Sequence, residues 1–228
     1  MSDMLEYQNF ELESISAFME LLNKNSSLCG LNVTIPYKEK VIPYLDELTD
    51  EAKEIGAVNT IAITRNNSGF KTTGYNTDVT GFFQTVKPLL KSHHSGAMVL
   101  GTGGASKAVV YALGKLRMPV LKVSRNKSPG AITYDEITRD HITQYPVIIN
   151  TTPLGSFPAT DRFPILPYTL LSAHNLLYDL VYNPEMTQFL LKGHQQGAAT
   201  VNGFNMLIAQ ADAAWEIWQR TCNPEHEG

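Results

Sequence analysis

Cysteine is scarce in this sequence, and its scarcity excludes several kinds of site. The 228 residues include 2 cysteines, Cys29 and Cys222, which lie near opposite ends of the chain and form no CxxC pair. Redox dithiols and cysteine-rich zinc sites need closely spaced cysteines. The 6 histidines show no i, i+4 spacing of the kind that binds a metal on a helix. We therefore predict two thiols and no metal site.

Positive charge and long apolar runs are also lacking. Lysine and arginine total 18 against 22 acidic residues, and they are scattered along the chain, so we predict no nucleic-acid partner. No apolar run approaches the roughly 18 residues that span a bilayer, and Met1–Glu6 has no signal-peptide pattern. We expect no membrane partner and a cytoplasmic location. The length of 228 residues allows one large or two compact domains.

The first third of the chain predicts a mixed α/β region. Apolar residues at helical spacing indicate an amphipathic helix over residues 14–24, after a short strand at Tyr7–Leu12. A strand at Gly30–Pro36 ends at a proline, and two short helical stretches follow. A polar tight turn then joins two strands in a hairpin, Val58–Thr64 and Phe70–Tyr75.

From residue 97 onward, strands and helices alternate, which predicts a parallel, doubly wound sheet. The expected strands are 97–100, 119–124, 147–150 and 176–180, with a helix at 105–117. Further helices are expected after Thr77-Asp78, from Asn183-Pro184 to about Gly197, and over Phe204–Trp218.

A glycine turn joins the first of these strands to its helix. Gly101, Gly103 and Gly104 permit close approach of a pyrophosphate to free N–H groups at the positive end of a helix dipole. A bare tight turn would also use glycine. The order of strand, glycines, helix and second strand favours a dinucleotide site, which includes Ala105 at the helix start.

The next strand ends in Ser124-Arg125-Asn126-Lys127, where an NAD site usually places a carboxylate for the ribose 2′-hydroxyl. This turn has no Asp or Glu. A guanidinium with small hydroxyl donors suits a 2′-phosphate instead, so Arg125, Ser124 and Lys127 favour NADP over NAD. The alternative is a solvated basic turn.

Several motifs then occur in the order typical of one family. They are Asn32–Glu39, Gly56–Thr60, Gly74–Asp78, Gly101–Ala108, Asn150–Gly155, Tyr178–Pro184, and Asn202-Gly203 through Gln210. From Asn9 to Trp218 the chain resembles the shikimate dehydrogenase family. That resemblance implies an α/β fold with a mixed α/β substrate domain (1–80 with 204–228) and a Rossmann-type NADP domain (81–203). It also implies reversible, NADP-dependent reduction of 3-dehydroshikimate to shikimate, in chorismate and aromatic amino acid biosynthesis.

The resemblance assigns roles to individual residues. Lys38 and Asp78 match the acid/base pair, and oxidation of a secondary alcohol does require a group that takes the hydroxyl proton while hydride leaves carbon. Alone, each residue would more simply be a surface lysine or a helix cap. The implied substrate residues are Thr34, Asn59, Asp78, Tyr182 and Gln210, and the implied cofactor residues beyond the glycine and basic turns are Thr151, Leu180 and Gly203.

The chain departs from the family pattern at its start. Family members begin with a strand, a Ser-x-Ser loop that binds the substrate carboxylate, and a helix, so the substrate domain here is expected to be incomplete. Ser14-Ile15-Ser16 has the right spacing but begins an amphipathic helix, so we interpret Ser14 as a cap or a neutral residue and do not assign it the family role. Three explanations stay open: a longer natural chain, a second copy that fills the gap as in a homodimer, or an NADP-binding regulatory relative without catalysis. A preference for quinate is a further alternative.

Overall fold

In the computed structural model, which describes residues 6–66 and 69–222, the chain forms two β-sheets. The first has the strand order β1-β3-β4-β2, with β1 at Gly30–Asn32, β2 at Glu47–Leu48, β3 at Thr60–Asn66 and β4 at Gly69–Tyr75. β3 pairs antiparallel with β1 and β4, and β2 runs parallel to β4. The expected hairpin of β3 and β4 is confirmed, while residues 67 and 68 of its turn lie outside the described ranges.

Short helices cover this first sheet. A 3₁₀ turn at Ile15–Ala17 leads into α1 (Phe18–Lys24), and α2 occupies Asp50–Ile55. Their apolar faces share one buried core with β3, to which Leu22, Ala52 and Ile61 contribute fully buried side chains.

The second sheet is parallel throughout its six strands, which run in the order β10-β9-β8-β5-β6-β7. Their bounds are Ala97–Leu100 (β5), Val120–Ser124 (β6), Ala131–Thr133 (β7), Val147–Asn150 (β8), Leu176–Asp179 (β9) and Ala199–Val201 (β10). The central strands β5, β8 and β9 are buried on both faces. Alternate residues face two separate cores, so that Val99 contributes to one core while Met98 and Leu100 contribute to the other. The predicted doubly wound sheet is thus confirmed.

Helices lie on both faces of the second sheet. α3 (Asp78–Val86), α4 (Gly104–Lys115) and α7 (Phe204–Cys222) pack on one face, and α5 (Arg139–Gln144) and α6 (Gln188–His194) pack on the other. Within residues 6–66 and 69–222, every helix is too short or too polar to cross a bilayer.

The last helix, α7, connects the two sheets. Its first half packs on α3, where a Cβ on Gly81 would come within 2.7 Å of the Met206 carbonyl oxygen. Near its other end, the Trp218 indole N–H donates a hydrogen bond of 2.9 Å to the Ile61 carbonyl of β3. Gly30 leaves the space that this indole fills, since a Cβ there would lie 2.1 Å from Trp218 Nε1.

One predicted element is wrong, and another begins later than predicted. Tyr7–Leu12 is not a strand. Side-chain hydrogen bonds attach this segment to the rest of the chain: the Tyr7 hydroxyl donates to Asn32 Oδ1 at 3.0 Å, and the Tyr37 hydroxyl donates to the Leu12 carbonyl at 2.7 Å. The helix expected at Pro184 begins at Gln188 instead, because the Thr187 hydroxyl caps it by accepting the Leu190 N–H at 3.3 Å. The sequence pattern does not predict the short strands β2, β7 and β10.

Candidate active site

Lys38 and Asp78 form an ion pair where the first sheet meets the second. Lys38 follows a tight turn that begins at Thr34, and its carbonyl accepts a hydrogen bond of 2.7 Å from the Val58 N–H. Asp78 is the first residue of α3. Lys38 Nζ lies 2.5 Å from Asp78 Oδ2, and the two side chains are only 15% and 8% exposed. A charged pair so nearly buried is held in one geometry, yet it keeps access to the surface.

Asn59 fixes the other oxygen of the Asp78 carboxylate. Its amide nitrogen donates to Asp78 Oδ1 at 2.8 Å and to the Thr77 hydroxyl at 3.0 Å. Its amide oxygen accepts the Thr77 backbone N–H at 2.7 Å and the Thr60 hydroxyl at 3.0 Å. Buried amides and hydroxyls stabilise a structure only when they are bonded in this way. The network therefore holds the Asp78 carboxylate rigidly toward Lys38.

The remaining predicted substrate residues differ in how they relate to this cluster. Gln210, on α7, joins it through a bond of 3.4 Å from Asn59 Nδ2 to its side-chain oxygen. Within the described ranges, the hydroxyls of Thr34 and Tyr182 make no hydrogen bond, and both residues are exposed, Tyr182 to 47%. Their hydroxyls are thus available to bind a ligand.

The glycine turn has the shape that a pyrophosphate requires. Gly101 has φ +113°, a conformation that glycine adopts readily, and a Cβ there would lie 2.7 Å from the Thr151 hydroxyl. At Gly103, by contrast, an added Cβ would meet no described atom within 4 Å. Gly103 is also the N-cap of α4 and provides no side chain to cap the first N–H groups. Open space beside uncapped N–H groups at a helix start fits a phosphate ligand.

The glycine turn and the ion pair lie side by side. A Cβ on Gly104 would come within 3.1 Å of Lys38 Cβ and 3.5 Å of Lys38 Cδ. The lysine stem therefore packs directly on the start of α4. A group bound at the turn and a group bound at the Lys38–Asp78 pair would be neighbours, at the carboxyl edge of a parallel sheet where ligands of such folds bind.

The basic turn after β6 lies near Asp135 and Glu136: hydrogen bonds from Thr133, and to a smaller extent the charge of Lys127, lower the pKa of both carboxylates. Ser124 ends the strand, and Arg125 and Lys127 are exposed. Glu136 accepts the Thr133 N–H at 2.7 Å and the Thr133 hydroxyl at 2.8 Å, so its carboxylate serves as a local cap. The exposed Arg125 and Lys127 beside the Ser124 hydroxyl fit a 2′-phosphate better than a 2′-hydroxyl.

A buried carboxylate organises the ends of β8 and β9, where Thr151 and Leu180 are predicted to meet the cofactor. Asp179 accepts hydrogen bonds from Asn150 Nδ2 at 2.9 Å, the Thr187 hydroxyl at 2.6 Å and the Val181 N–H at 3.0 Å. Burial raises the pKa of Asp179 to about 6, and those three bonds offset part of the rise.

Gly203 brings the chain close to this strand end. A Cβ at Gly203 would lie 2.1 Å from the Leu180 carbonyl oxygen, so a larger residue would push the start of α7 away. The Gly203 N–H also donates to the Val181 carbonyl at 3.1 Å. Leu180 and Gly203 are therefore adjacent.

Known proteins similar to this chain indicate its family. A family model described as the shikimate dehydrogenase substrate binding domain matches residues 3–61. The NADP(+) shikimate dehydrogenase of Halothermothrix orenii is 40% identical over 210 residues, which cover 83% of this chain and 71% of the relative. This chain belongs to the shikimate dehydrogenase family.

Two solved structures extend the likeness to the fold of the shikimate dehydrogenases. Shikimate dehydrogenase 1 of Peptoclostridium difficile gives a TM-score of 0.76 at 38% identity, covering 93% of this chain and 80% of that one. The Thermus thermophilus shikimate 5-dehydrogenase, solved in complex with NADP(H) and shikimate, gives 0.74 at 28% identity, covering 88% and 76%. The similarity thus extends over both sheets.

Sequence reasoning missed several residues that shape this candidate site. Thr60 and Thr77 complete the Asn59 network, yet isolated threonines in a strand and before a helix give no signal of that role. Asp179 lies inside a recognised motif, and a lone acid ending an apolar strand does indicate a buried polar contact. Ser14 caps the first helical turn, as expected, by accepting the Ser16 N–H at 3.3 Å.

Proposed function

We propose that this chain is an NADP-dependent shikimate dehydrogenase, which interconverts 3-dehydroshikimate and shikimate. The observation that carries the proposal is the Lys38–Asp78 pair, held at 2.5 Å and packed against the glycine turn at Gly104. The Halothermothrix and Thermus relatives, whose names give this activity or these ligands, support it. NADP+ would supply the hydride acceptor when bound, and side chains of this protein would transfer the proton.

Lys38 is the proton-transfer group in this proposal. During ketone reduction the Lys38 ammonium gives a proton to the forming alkoxide as hydride reaches carbon, which leaves Lys38 as a neutral amine. In alcohol oxidation that neutral amine takes the hydroxyl proton as the C–H hydride leaves, and Lys38 becomes an ammonium again. Asp78 fixes the direction of Nζ, because its carboxylate is itself held by Asn59 at 2.8 Å. A base held in position in this way accounts for roughly 10²–10⁴-fold of rate enhancement.

The substrate ring is polyhydroxylated, so its binding needs several hydrogen-bonding side chains. Asn59, Asp78 and Gln210 are connected by hydrogen bonds, and Thr34 and Tyr182 carry exposed hydroxyls. We assign these five residues to ring recognition. The cofactor residues proposed are Gly101, Gly103, Gly104, Ala105, Ser124, Arg125, Lys127, Thr151, Leu180 and Gly203.

We also propose that residues 1–80 with 204–228 act as the substrate domain and 81–203 as the NADP domain. The return of α7 to β3 through Trp218 supports this division. The protein is expected in the cytoplasm and as a homodimer, which fractionation and gel filtration test.

A second candidate is an NADP-binding relative without turnover. Ser14 and Ser16 favour it, because the Ser16 hydroxyl donates to the Ser14 hydroxyl at 3.0 Å and the Ser14 hydroxyl caps a helical turn, which is not the role that Ser-x-Ser has in the family. Calorimetry separates the two functions. NADP+ binding that shikimate leaves unchanged, without turnover, would support the second candidate.

Steady-state turnover with shikimate and NADP+ tests the leading proposal. Lys38→Met keeps the stem that packs on Gly104 but removes the ammonium, and we expect kcat to fall by about 10²–10⁴-fold. The matched control is Lys40→Met, an exposed lysine of the same loop, whose kcat should equal that of the unsubstituted chain. Equal turnover by both variants would refute the role of Lys38. Quinate in place of shikimate measures the preference for the ring substituent.

A further inference from the structure

Lys107 makes a bridge that the proposed reaction leaves unexplained. It lies in the first turn of α4, next to the glycine turn. Its ammonium donates to Glu39 Oε2 at 2.6 Å and lies 3.5 Å from the Gly56 carbonyl oxygen. The Lys107 ammonium of α4 thereby contacts two separate segments of the part of the chain that contains the first sheet, one at Glu39 and one at Gly56.

Those two segments carry the candidate catalytic and substrate residues. Glu39 follows Lys38 directly in the sequence. Gly56 is the C-cap of α2 and lies three residues before Asn59. The segments are tied to each other by the bond of 2.7 Å from the Val58 N–H to the Lys38 carbonyl. A change at Lys107 would therefore move both segments together relative to α4.

The packing beneath the bridge makes spacing critical. The Lys38 stem rests on Gly104, where even a methyl group would come within 3.1 Å of Lys38 Cβ. The distance from the glycine turn to the Lys38 ammonium therefore depends on how closely α4 approaches this loop. The Lys107–Glu39 pair is half-exposed, with side chains 37% and 45% accessible, so it contributes little to global stability. Its main effect is on how closely α4 approaches the loop that carries Lys38.

We propose that Lys107 is a positioning residue: its bridge to Glu39 and the Gly56 carbonyl sets the distance between the glycine turn and Lys38. This inference rests on the proposed function, because it is Lys38 whose alignment with the bound cofactor and substrate is set. Misplacement by as little as 1 Å can cost a reaction about 100-fold.

The chain contains a matched control for this bridge. Lys115, farther along α4, pairs with Glu51 of α2, and those side chains are 47% and 32% exposed. This second pair spans the same two parts of the molecule but lies away from Lys38. If an ion pair at this junction acted only through stability, both pairs would behave alike.

The test compares K107M, E39Q, K107R and K115M by steady-state kinetics and by calorimetry of NADP+ binding. We expect K107M and E39Q each to lower kcat by about 5- to 50-fold, with the NADP+ affinity of E39Q unchanged. K107R should recover most of the lost rate, because its guanidinium reaches the same acceptors. K115M should leave kcat unchanged.

Three results would overturn the inference. An E39Q variant with normal kcat, combined with weak NADP+ binding in K107M, would make Lys107 a ligand of the cofactor phosphates. An equal loss of kcat in K115M and K107M would show a general effect of the junction. Equal kcat in all variants would show no role.

Failure of the proposed function is recognised separately, as absence of turnover in the unsubstituted chain. In that case the hydrogen-exchange rate of the Val58 amide tests whether the Lys107 bridge positions the two segments. K107M and E39Q should accelerate exchange of this amide to the same degree, and K115M should leave it unchanged. Equal exchange in all proteins would contradict the inference.

Discussion

Replacing Gly103 with alanine should separate cofactor binding from folding. A methyl group there meets no described atom within 4 Å, and the backbone at φ −83°, ψ −172° is one that alanine adopts freely. The smaller entropy of the unfolded chain favours the variant by about 0.4–1 kcal/mol. Alanine is a poorer N-cap than glycine, which costs about 0.5–1 kcal/mol. The two effects nearly cancel, so the melting temperature should change by no more than about 2 °C.

The affinity for NADP+ should fall, however. If the open space beside Gly103 receives the pyrophosphate, the methyl group crowds it, and crowding of a packed contact costs about 1–3 kcal/mol. Such a loss corresponds to about a 5- to 150-fold increase in the dissociation constant. Isothermal titration calorimetry on the protein without substrate measures this directly.

Gly114 provides the matched control, because an added methyl there also meets no described atom within 4 Å, and it lies near the far end of α4. Gly114→Ala should raise the melting temperature by about 2–4 °C through helix propensity and leave NADP+ affinity unchanged. Equal NADP+ affinity in the Gly103 and Gly114 variants would refute the reasoning, and the glycine turn would then be a bare tight turn.

Three further predictions concern other parts of the chain. Gly30→Ala should lower the free energy of unfolding in urea by about 1–3 kcal/mol, since the methyl would displace the Trp218 indole; undiminished stability would contradict this packing. Arg125→Gln should raise the KM for NADP+ by about 10- to 150-fold with little change for NAD+, whereas equal effects on both would exclude a 2′-phosphate contact. Burial, then the charges of His93 and Lys91, lower the pKa of His94. In the unfolded chain the His94 imidazole therefore binds a proton more readily than in the folded protein, so the free energy of unfolding should fall as the pH drops below about 6.5. The melting temperature of His94→Asn should decline less between pH 7 and pH 5 than that of the unsubstituted chain.

The parallel sheet was predictable because its strands carry a strong local signal. Val147–Asn150 and Ala97–Leu100 are short apolar runs with glycine or polar residues at their ends, and both are fully buried. The strands β2, β7 and β10 are only two or three residues long and partly exposed, so their sequences carry no comparable pattern. Such strands form because a neighbouring strand offers an edge.

The site could be predicted only where a motif links distant residues. Lys38 and Asp78 are 40 residues apart in the sequence, and no periodicity relates them, so their pairing was expected from family resemblance alone. The Lys107 bridge to Glu39 spans 68 residues and had no such guide. Tertiary packing also decided the start of α6, where Thr187 caps the helix and binds buried Asp179, although Pro184 suggested an earlier beginning.

The most direct test of the central claim is a crystal structure of the chain with shikimate and NADP+ bound. The account predicts that Lys38 Nζ lies within about 3.2 Å of the hydroxyl to be oxidised, with Asp78 still paired to it and the nicotinamide on the glycine-turn side. A ring hydroxyl that contacts neither residue, or a nicotinamide bound away from Lys38, would contradict it.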